Sequence, residues 1–187
     1  MKLILEYIKK YKFTYIGIII IFIVGVIIGV IVSFKTPDSD KEEIREYIEE
    51  IISEIEENKQ NIFLKTFIQN SKFSLIVFFL GCTIIASFTI YALMIYKGFL
   101  IGYITSLLIN IFGLSQGFEY SAKLLLIQNI LFLPIVFLLA TSGIRLCKGI
   151  IKKDIDLKYG LLRHFVILVI NLIVGVILSC LEAYFII

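Results

Sequence analysis

The chain has 187 residues, of which 59% are hydrophobic and 18% are charged, and its mean hydropathy is +0.99. This composition excludes an ordinary water-soluble domain, because a fold of this size would expose large apolar patches to water. We therefore predict one membrane domain over residues 1–187. The formal net charge of +3 gives no sign of nucleic-acid binding. What matters in a membrane protein is which loops hold the Lys and Arg residues.

Several apolar runs are long enough to cross a bilayer. A helix rises about 1.5 Å per residue, so about 20 apolar residues span the hydrocarbon core. The sequence predicts an all-α polytopic fold with five transmembrane helices, at Phe13–Phe34, Phe73–Tyr96, Gly98–Phe118, Leu124–Ile144 and Phe165–Ile187. Short connections are expected at Lys97 and around Glu119. The first run is too long for a signal peptide and is expected to remain as an anchor.

Basic residues near the ends of spans set the orientation of a membrane protein. The strongest cluster is Arg145–Arg163, between the fourth and fifth predicted spans. Together with the basic residues at the start of the chain and Lys97, it predicts a cytoplasmic N-terminus. Most of the acidic residues then lie outside the cell, and the odd number of spans puts the C-terminus outside as well.

The stretch after the first span, Asp38–Gln69, is predicted to be an extracytoplasmic amphipathic helical segment. Its apolar residues recur near a 3.6-residue period, and glutamates occupy much of the remaining surface. One interpretation is that the apolar stripe packs on the bundle or the headgroups while the acids are solvated. The other is a docking helix for an extracytoplasmic partner. The hypothetical partner-binding residues are Glu46, Glu49, Glu50, Ile44, Ile48 and Ile51.

Small and polar residues inside the predicted spans indicate helix packing. Gly25-x-x-x-Gly29 and Gly98-x-x-x-Gly102 allow close approach of helix backbones, and internal packing is favoured over a dimer face, although a homo-oligomer stays open. Gln128, Asn129 and Pro134 must face protein or a cavity, either for packing or as the lining of a substrate path. Glu182 lies near enough to its span end to reach the outer interface, and His164 is expected at the cytoplasmic interface.

The sequence contains no recognisable catalytic motif. Cys82, Cys147 and Cys180 are scattered singly in apolar surroundings, with no paired cysteines or nearby histidine. No Walker A, G-x-S-x-G or H-E-x-x-H motif is present. We therefore expect no enzyme activity, no cofactor and no metal site.

The chain resembles the stage II sporulation protein M family. The stretch from Phe67 to Tyr103, FIQNSKFSLIVFFLGCTIIASFTIYALMIYKGFLIGY, and LLIQNILFLPIVF further along carry the resemblance, and the ending Leu181-Glu182-Ala183-Tyr184 is similar to the family's acidic terminus. The positions that match the family's motifs are Asn70, Gly81, Lys97, Gly98, Phe99, Gly102, Gln128, Asn129, Pro134 and Glu182.

The resemblance implies a multi-pass protein of the bacterial cell membrane, located at the sporulation septum of endospore formers. It implies a non-catalytic scaffold of the engulfment machinery, which anchors and places the peptidoglycan-degrading sporulation proteins D and P. The alternative function is a membrane permease subunit of an ATP-driven exporter, with a separate ATPase docking on Arg145–Arg163. A general membrane-stress or assembly role stays open on sequence alone.

Overall fold

The computed structural model describes residues 9–57, 59–122, 127–152 and 157–185, and helices occupy nearly all of these ranges. They are α1 (Lys12–Ser33), α2 (Asp38–Glu57), α3 (Lys59–Gly81), α4 (Ala86–Ser121), α5 (Ile127–Lys152) and α6 (Leu157–Phe185). Within these described ranges, four helical stretches are long and apolar enough to cross a membrane: Lys12–Ser33, Ala86–Ser121, Phe132–Lys152 and Leu157–Leu181. The predicted all-α polytopic class is confirmed, but the count of spans by this criterion is four and not five.

Helices α1 and α4 run parallel and form the most extensive helix pair of the described chain. Gly25 lies against Ile95, and one turn further along both helices Gly29 lies against Phe99. Helix α5 runs the other way, because the Arg145 guanidinium near its C-terminal end lies over the ring of Tyr11, just before α1. The start of α1, the end of α5 and the start of α6 therefore share one end of the bundle. This basic end carries Lys9, Lys10, Lys12, Arg145, Lys148, Lys152, Lys158 and Arg163.

Helix α3 packs between α5 and α6, although its own sequence is too polar to be counted as a span. It is antiparallel to α6, since Ser74 bonds to Asn171 while Phe78 stacks on His164. The buried core joins these helices to the α1 and α4 pair through residues such as Val77, Ile90 and Leu139. The buried polar residues of α3, which are Thr66, Asn70 and Ser74, lie on the face that the bundle covers.

The predicted connection at Lys97 is wrong, because Lys97 lies within α4, eleven positions after its start at Ala86. The chain turns instead at residues 82–85, inside the predicted second span. The Thr83 hydroxyl donates to the Leu80 carbonyl (2.7 Å), and the Cys147 thiol of α5 donates to the Ile84 carbonyl (2.9 Å). The bond from Cys147 ties the turn to α5, so a tertiary contact holds the turn in place although its sequence is not typical of a loop.

The predicted third span, Gly98–Phe118, ends early because α4 reverses at Gly113. Gly113 has φ +80° and ψ 171°, a backbone conformation that favours glycine. After it the chain folds back, so that Gly117 lies against the backbone of Ile109 and the rings of Phe112 and Tyr120 meet edge to face at 4.9 Å. In a straight helix, residues eight positions apart would be about 12 Å apart along the axis.

The predicted outer segment, Asp38–Gln69, is two helices and not one. Helix α2 ends at Glu57, and α3 begins at Lys59 and continues into the bundle as far as Gly81. Helix α2 contacts α3 and α4 at the end opposite the basic one. The polar segment therefore supplies both a helix at the end opposite the basic one and part of the bundle.

Candidate functional site

The face of α2 turned away from the bundle is covered with carboxylates. Glu46, Glu49 and Glu50 are all exposed, and Glu42 and Glu43 continue the same surface. Helix α2 opens with Asp38 and Asp40 in its first turn, where acids complement the positive helix end. The Lys41 ammonium lies 2.7 Å from the Asp38 carboxylate, and its hydrogen bond and charge hold the pKa of that carboxyl below its usual value.

The opposite edge of α2 faces the chain itself. Ile48 is buried with 7% of its surface exposed, and Ile44 is half-buried. The Arg45 guanidinium lies 5.4 Å from the centroid of the Phe112 ring, next to the reversal in α4, and also approaches the Glu49 carboxylate at 3.3 Å. The side chain of Ile51 lies outside those that the structure describes. Among the hypothetical partner-binding residues, the described carboxylates are exposed to solvent, and the described isoleucines are at least partly buried.

The two G-x-x-x-G motifs pack on each other, which is the internal packing that the sequence favours. A Cβ atom on Gly25 would meet the carbonyl oxygen of Ile95, and one on Gly98 would meet that of Phe22. Gly29 and Gly102 make the same kind of approach to the facing backbone. Because each obstacle is backbone and not a movable side chain, only glycine fits at these four positions. Beyond the glycines the Ser33 hydroxyl donates to that of Ser106 at 2.6 Å.

Two polar side chains, those of Ser74 and Asn171, meet at the seam between α3 and α6. The Ser74 hydroxyl lies 2.6 Å from Asn171 Oδ1 and 2.8 Å from the carbonyl of Asn70, one turn earlier in α3. Ser74, Asn70 and Asn171 are all buried, and within the described ranges the amide nitrogens of Asn70 and Asn171 have no hydrogen-bond partner. The bond between Ser74 and Asn171 therefore joins α3 to α6, and the family position Asn70 contributes its backbone carbonyl.

Lys97 lies at the middle depth of the bundle, because the adjacent Gly98 touches Phe22 in the centre of α1. Its ammonium lies 5.2 Å from the centroid of the Phe73 ring, a cation–π contact across the seam between α3 and α4. Within the described part of the chain, no carboxylate lies at ion-pair distance from this ammonium. An intramembrane cation is costly and commonly functional.

His164 is wholly buried inside the bundle, near its basic end, and its expected position at the cytoplasmic interface stays a prediction. Its Nδ1 lies 2.5 Å from the Ser142 hydroxyl and its Nε2 lies 3.2 Å from the Phe78 carbonyl. A Cβ atom on Gly81 would meet both this ring and the backbone of Gly143, so these two glycines set a close crossing of α3 and α5. Local sequence carries no signal for this contact, because it joins residues of three helices that are far apart in the chain.

The remaining predicted positions do not converge on one place. Asn129 is buried, whereas Pro134 is exposed on the outside of the bundle, where its carbonyl accepts a hydrogen bond from the Tyr15 hydroxyl at 3.3 Å. The side chains of Gln128 and Glu182 lie outside those that the structure describes. Among the described residues, no group of three or more His, Cys, Asp or Glu side chains is placed to hold a metal ion.

These contacts define a polytopic helical membrane protein whose bundle is held by close backbone approaches and buried polar pairs, with a charged helix at one end. The family model described as stage II sporulation protein M (SpoIIM) matches residues 18–185, nearly the whole chain. The chain belongs to this family and is a sporulation-related membrane protein. No curated protein and no solved structure matches it.

Proposed function

We propose that this chain is a non-catalytic membrane scaffold of the sporulation engulfment machinery, which anchors and localises septal peptidoglycan-degrading enzymes. The proposed partners are the sporulation proteins D and P, and the proposed location is the sporulation septum. Membership of the stage II sporulation protein M family supports a role in sporulation. The observation that carries the docking proposal is the exposed carboxylate surface of α2, held against the bundle.

The orientation in this proposal follows from the chemistry of the two ends. Lys and Arg residues gather at the end formed by the start of α1, the end of α5 and the start of α6. The positive-inside rule assigns that end to the cytoplasm. Helix α2, whose exposed face is acidic, then lies outside the cell membrane, on the side of the septal peptidoglycan. The C-terminal end of α6 lies on that side too.

A docking helix must present its binding face without losing its own support. Helix α2 meets this requirement, because the covered edge at Ile44 and Ile48 is separate from the carboxylates of Glu46, Glu49 and Glu50. The carboxylates would recognise a basic surface on the partner and steer its approach. In this arrangement the isoleucines hold α2 in place, and they would meet a partner only if α2 moved away from the bundle.

The test is charge reversal of the α2 surface. We expect the triple variant E46K/E49K/E50K to lose recruitment of a fluorescently tagged sporulation protein D or P to the septum. Lysine has nearly the helix propensity of glutamate, so α2 should still form. Breaking the exposed bridge between Arg45 and Glu49 should cost only a few tenths of a kcal/mol. Membrane insertion, measured by protease protection, should be unchanged.

A matched control is the reversal E119K, an exposed acid at the end of α4. This variant should recruit the enzymes normally, so a loss confined to the α2 triple variant would locate the docking surface. Normal recruitment in the triple variant would refute the docking proposal. If deletion of the gene left engulfment intact but impaired the handling of a solute, the scaffold function would fail and the permease alternative would take its place.

A further inference from the structure

At the basic end of the bundle, a small cavity lies between three parts of the chain. It has a volume of about 10 Å³, which is the room of one water-sized atom. Tyr11 precedes α1, Arg145 belongs to α5, and Arg163 belongs to α6. The full lining is Tyr11, Ser142, Arg145, Leu146, Gly160, Arg163 and His164.

Two polar residues that line this cavity, Ser142 and His164, already have hydrogen-bond partners within the chain. The Ser142 hydroxyl lies 2.8 Å from the Leu139 carbonyl, and it shares a hydrogen bond with His164, whose other ring nitrogen faces the Phe78 carbonyl. These groups therefore require no ligand. The lining residue with an unsatisfied polar group is Arg145.

The guanidinium of Arg145 has an unused donor. Its Nε atom is buried and has no hydrogen-bond partner among the residues that the structure describes. The group is also held in one orientation, because its central carbon lies 4.4 Å from the centroid of the Tyr11 ring. Burying a charged donor without an acceptor is costly, so a fixed and unpaired Nε indicates that an acceptor from outside the described chain belongs there.

The electrostatic field around the cavity favours an anion. Partial burial raises the pKa of the Tyr11 phenol. The positive charge of Arg145, its hydrogen bond to Tyr11, and the charges of Lys10 and Arg163 lower this pKa. Their combined effect is larger, so the pKa of Tyr11 lies below its usual value. A phenol is made more acidic only where negative charge is stabilised. Guanidinium groups are the usual partners of phosphate, because their planar donors match its oxygens.

The surroundings of the cavity are those of a lipid and not of a soluble anion. Phe13, Leu162 and Phe165, all exposed large apolar side chains, are near neighbours in sequence of Tyr11 and Arg163. In the bundle they lie at the border between the basic end and the apolar helix surfaces, where a headgroup passes into its acyl chains. A phosphate at Arg145 would thus place its chains along α1 and α6.

We propose that this cavity is a binding site for the phosphate of an anionic glycerophospholipid, with Arg145 Nε as the principal donor and Arg163 and Lys10 supplying further positive charge. One phosphate oxygen fills the cavity and accepts from Arg145. The surrounding cations disfavour zwitterionic lipids, since a choline or ethanolamine group would meet positive charge. This site is independent of the α2 surface and of the docking proposal.

The test is native mass spectrometry of the full chain, released from detergent with increasing amounts of phosphatidylglycerol or phosphatidylcholine. The wild-type chain should retain phosphatidylglycerol in preference to phosphatidylcholine. R145Q should weaken phosphatidylglycerol binding by about tenfold to a hundredfold, the usual effect of losing a charged hydrogen bond. The control K148Q removes the same charge from an exposed position of α5 and should change binding by less than about threefold.

A second variant separates geometry from charge and also covers a failure of R145Q to fold. R145K keeps the charge but lacks the planar Nε donor, so it should lose most of the preference for phosphatidylglycerol. Wild-type binding in R145K, or equal losses in R145Q and K148Q, would overturn the proposal in favour of diffuse surface charge. Displacement of the lipid by inorganic phosphate at equal concentration would overturn it in favour of a soluble anion.

Discussion

Replacing single glycines of the α1 and α4 seam with alanine should destabilise the bundle, even though alanine is the better helix former. In G25A the new methyl group would meet the carbonyl oxygen of Ile95, and in G98A it would meet that of Phe22. Gly17 provides the matched control in the same helix, because in the described part of the chain no other helix comes within 4 Å of a Cβ placed there. The G17A variant should be neutral or slightly stabilised.

The size of the effect follows from the movement that the methyl group requires. A carbon atom normally lies about 3.3–3.6 Å from a carbonyl oxygen, so the two helices must separate by about 1 Å. A gap of that size forfeits a quarter to a half of the dispersion energy of the contacts that it opens. Overpacking of this kind typically costs about 1–3 kcal/mol. For a chain of this length, that corresponds to a fall in melting temperature of roughly 2–12 °C.

The assay is thermal unfolding in detergent, followed with a thiol-reactive dye, since the chain has no tryptophan. Cys147 is the natural reporter, because it is buried and its thiol donates to the Ile84 carbonyl. Cys82 and Cys180 are replaced by serine so that only Cys147 reports. Equal melting temperatures for G25A and G17A would refute the inferred close approach of the two backbones.

Three further predictions concern the polar side chains. S74A should destabilise the bundle by about 1–2 kcal/mol, because it leaves the buried amide of Asn171 without its partner. N171L should cost less, because it removes that amide. Equal melting temperatures of the two variants in the thiol-dye assay would contradict this. K97M should keep or raise the melting temperature in lipid nanodiscs, because it removes a charge at the middle depth of the bundle and keeps the apolar part of the side chain. A clear fall in the melting temperature would show that the charge itself stabilises the bundle. The Asp38 carboxyl, titrated by carbon-13 NMR, should have a pKa below its usual value and a higher pKa in K41A. Because the folded pKa is lowered, the contact with Lys41 stabilises α2 at pH values above the ordinary carboxyl pKa, and this stabilisation is lost as the pH falls through the lowered pKa. Equal titration midpoints in the two proteins would argue against the contact.

Hydropathy was enough to predict the helices whose apolar runs are bounded by charge. The predicted first span, Phe13–Phe34, differs from α1 by one residue at each end, and the predicted Phe165–Ile187 lies largely within α6. The sequence also favoured internal packing for the glycine motifs. It could not pair the motifs with each other, because pairing depends on the parallel direction of α1 and α4, which local sequence does not determine.

The errors have physical causes as well. Residues 82–85 are Cys-Thr-Ile-Ile, which carry no helix-breaking proline or glycine, so the turn there has no local signal. It is imposed by the Cys147 contact and by the crossing of Gly81 with Gly143. Lys97 beside Gly98 has the composition of a loop, yet the glycine is a packing position and the lysine is covered by a neighbouring helix. Tertiary contacts outweighed local pattern at both places.

The position of α2 depends on the same packing. Arg45 lies over Phe112, directly before the reversal at Gly113, and the part of α4 that leads to this point is held to α1 by backbone contacts that only glycine permits. A surface carried on such a pair is positioned by the bundle, unlike one on a flexible tether. This is what a scaffold needs if it is to place an enzyme at a set distance from the bilayer. Loosening the seam in G98A should therefore impair enzyme placement even with every carboxylate of α2 intact, which links the packing of the bundle to the proposed function.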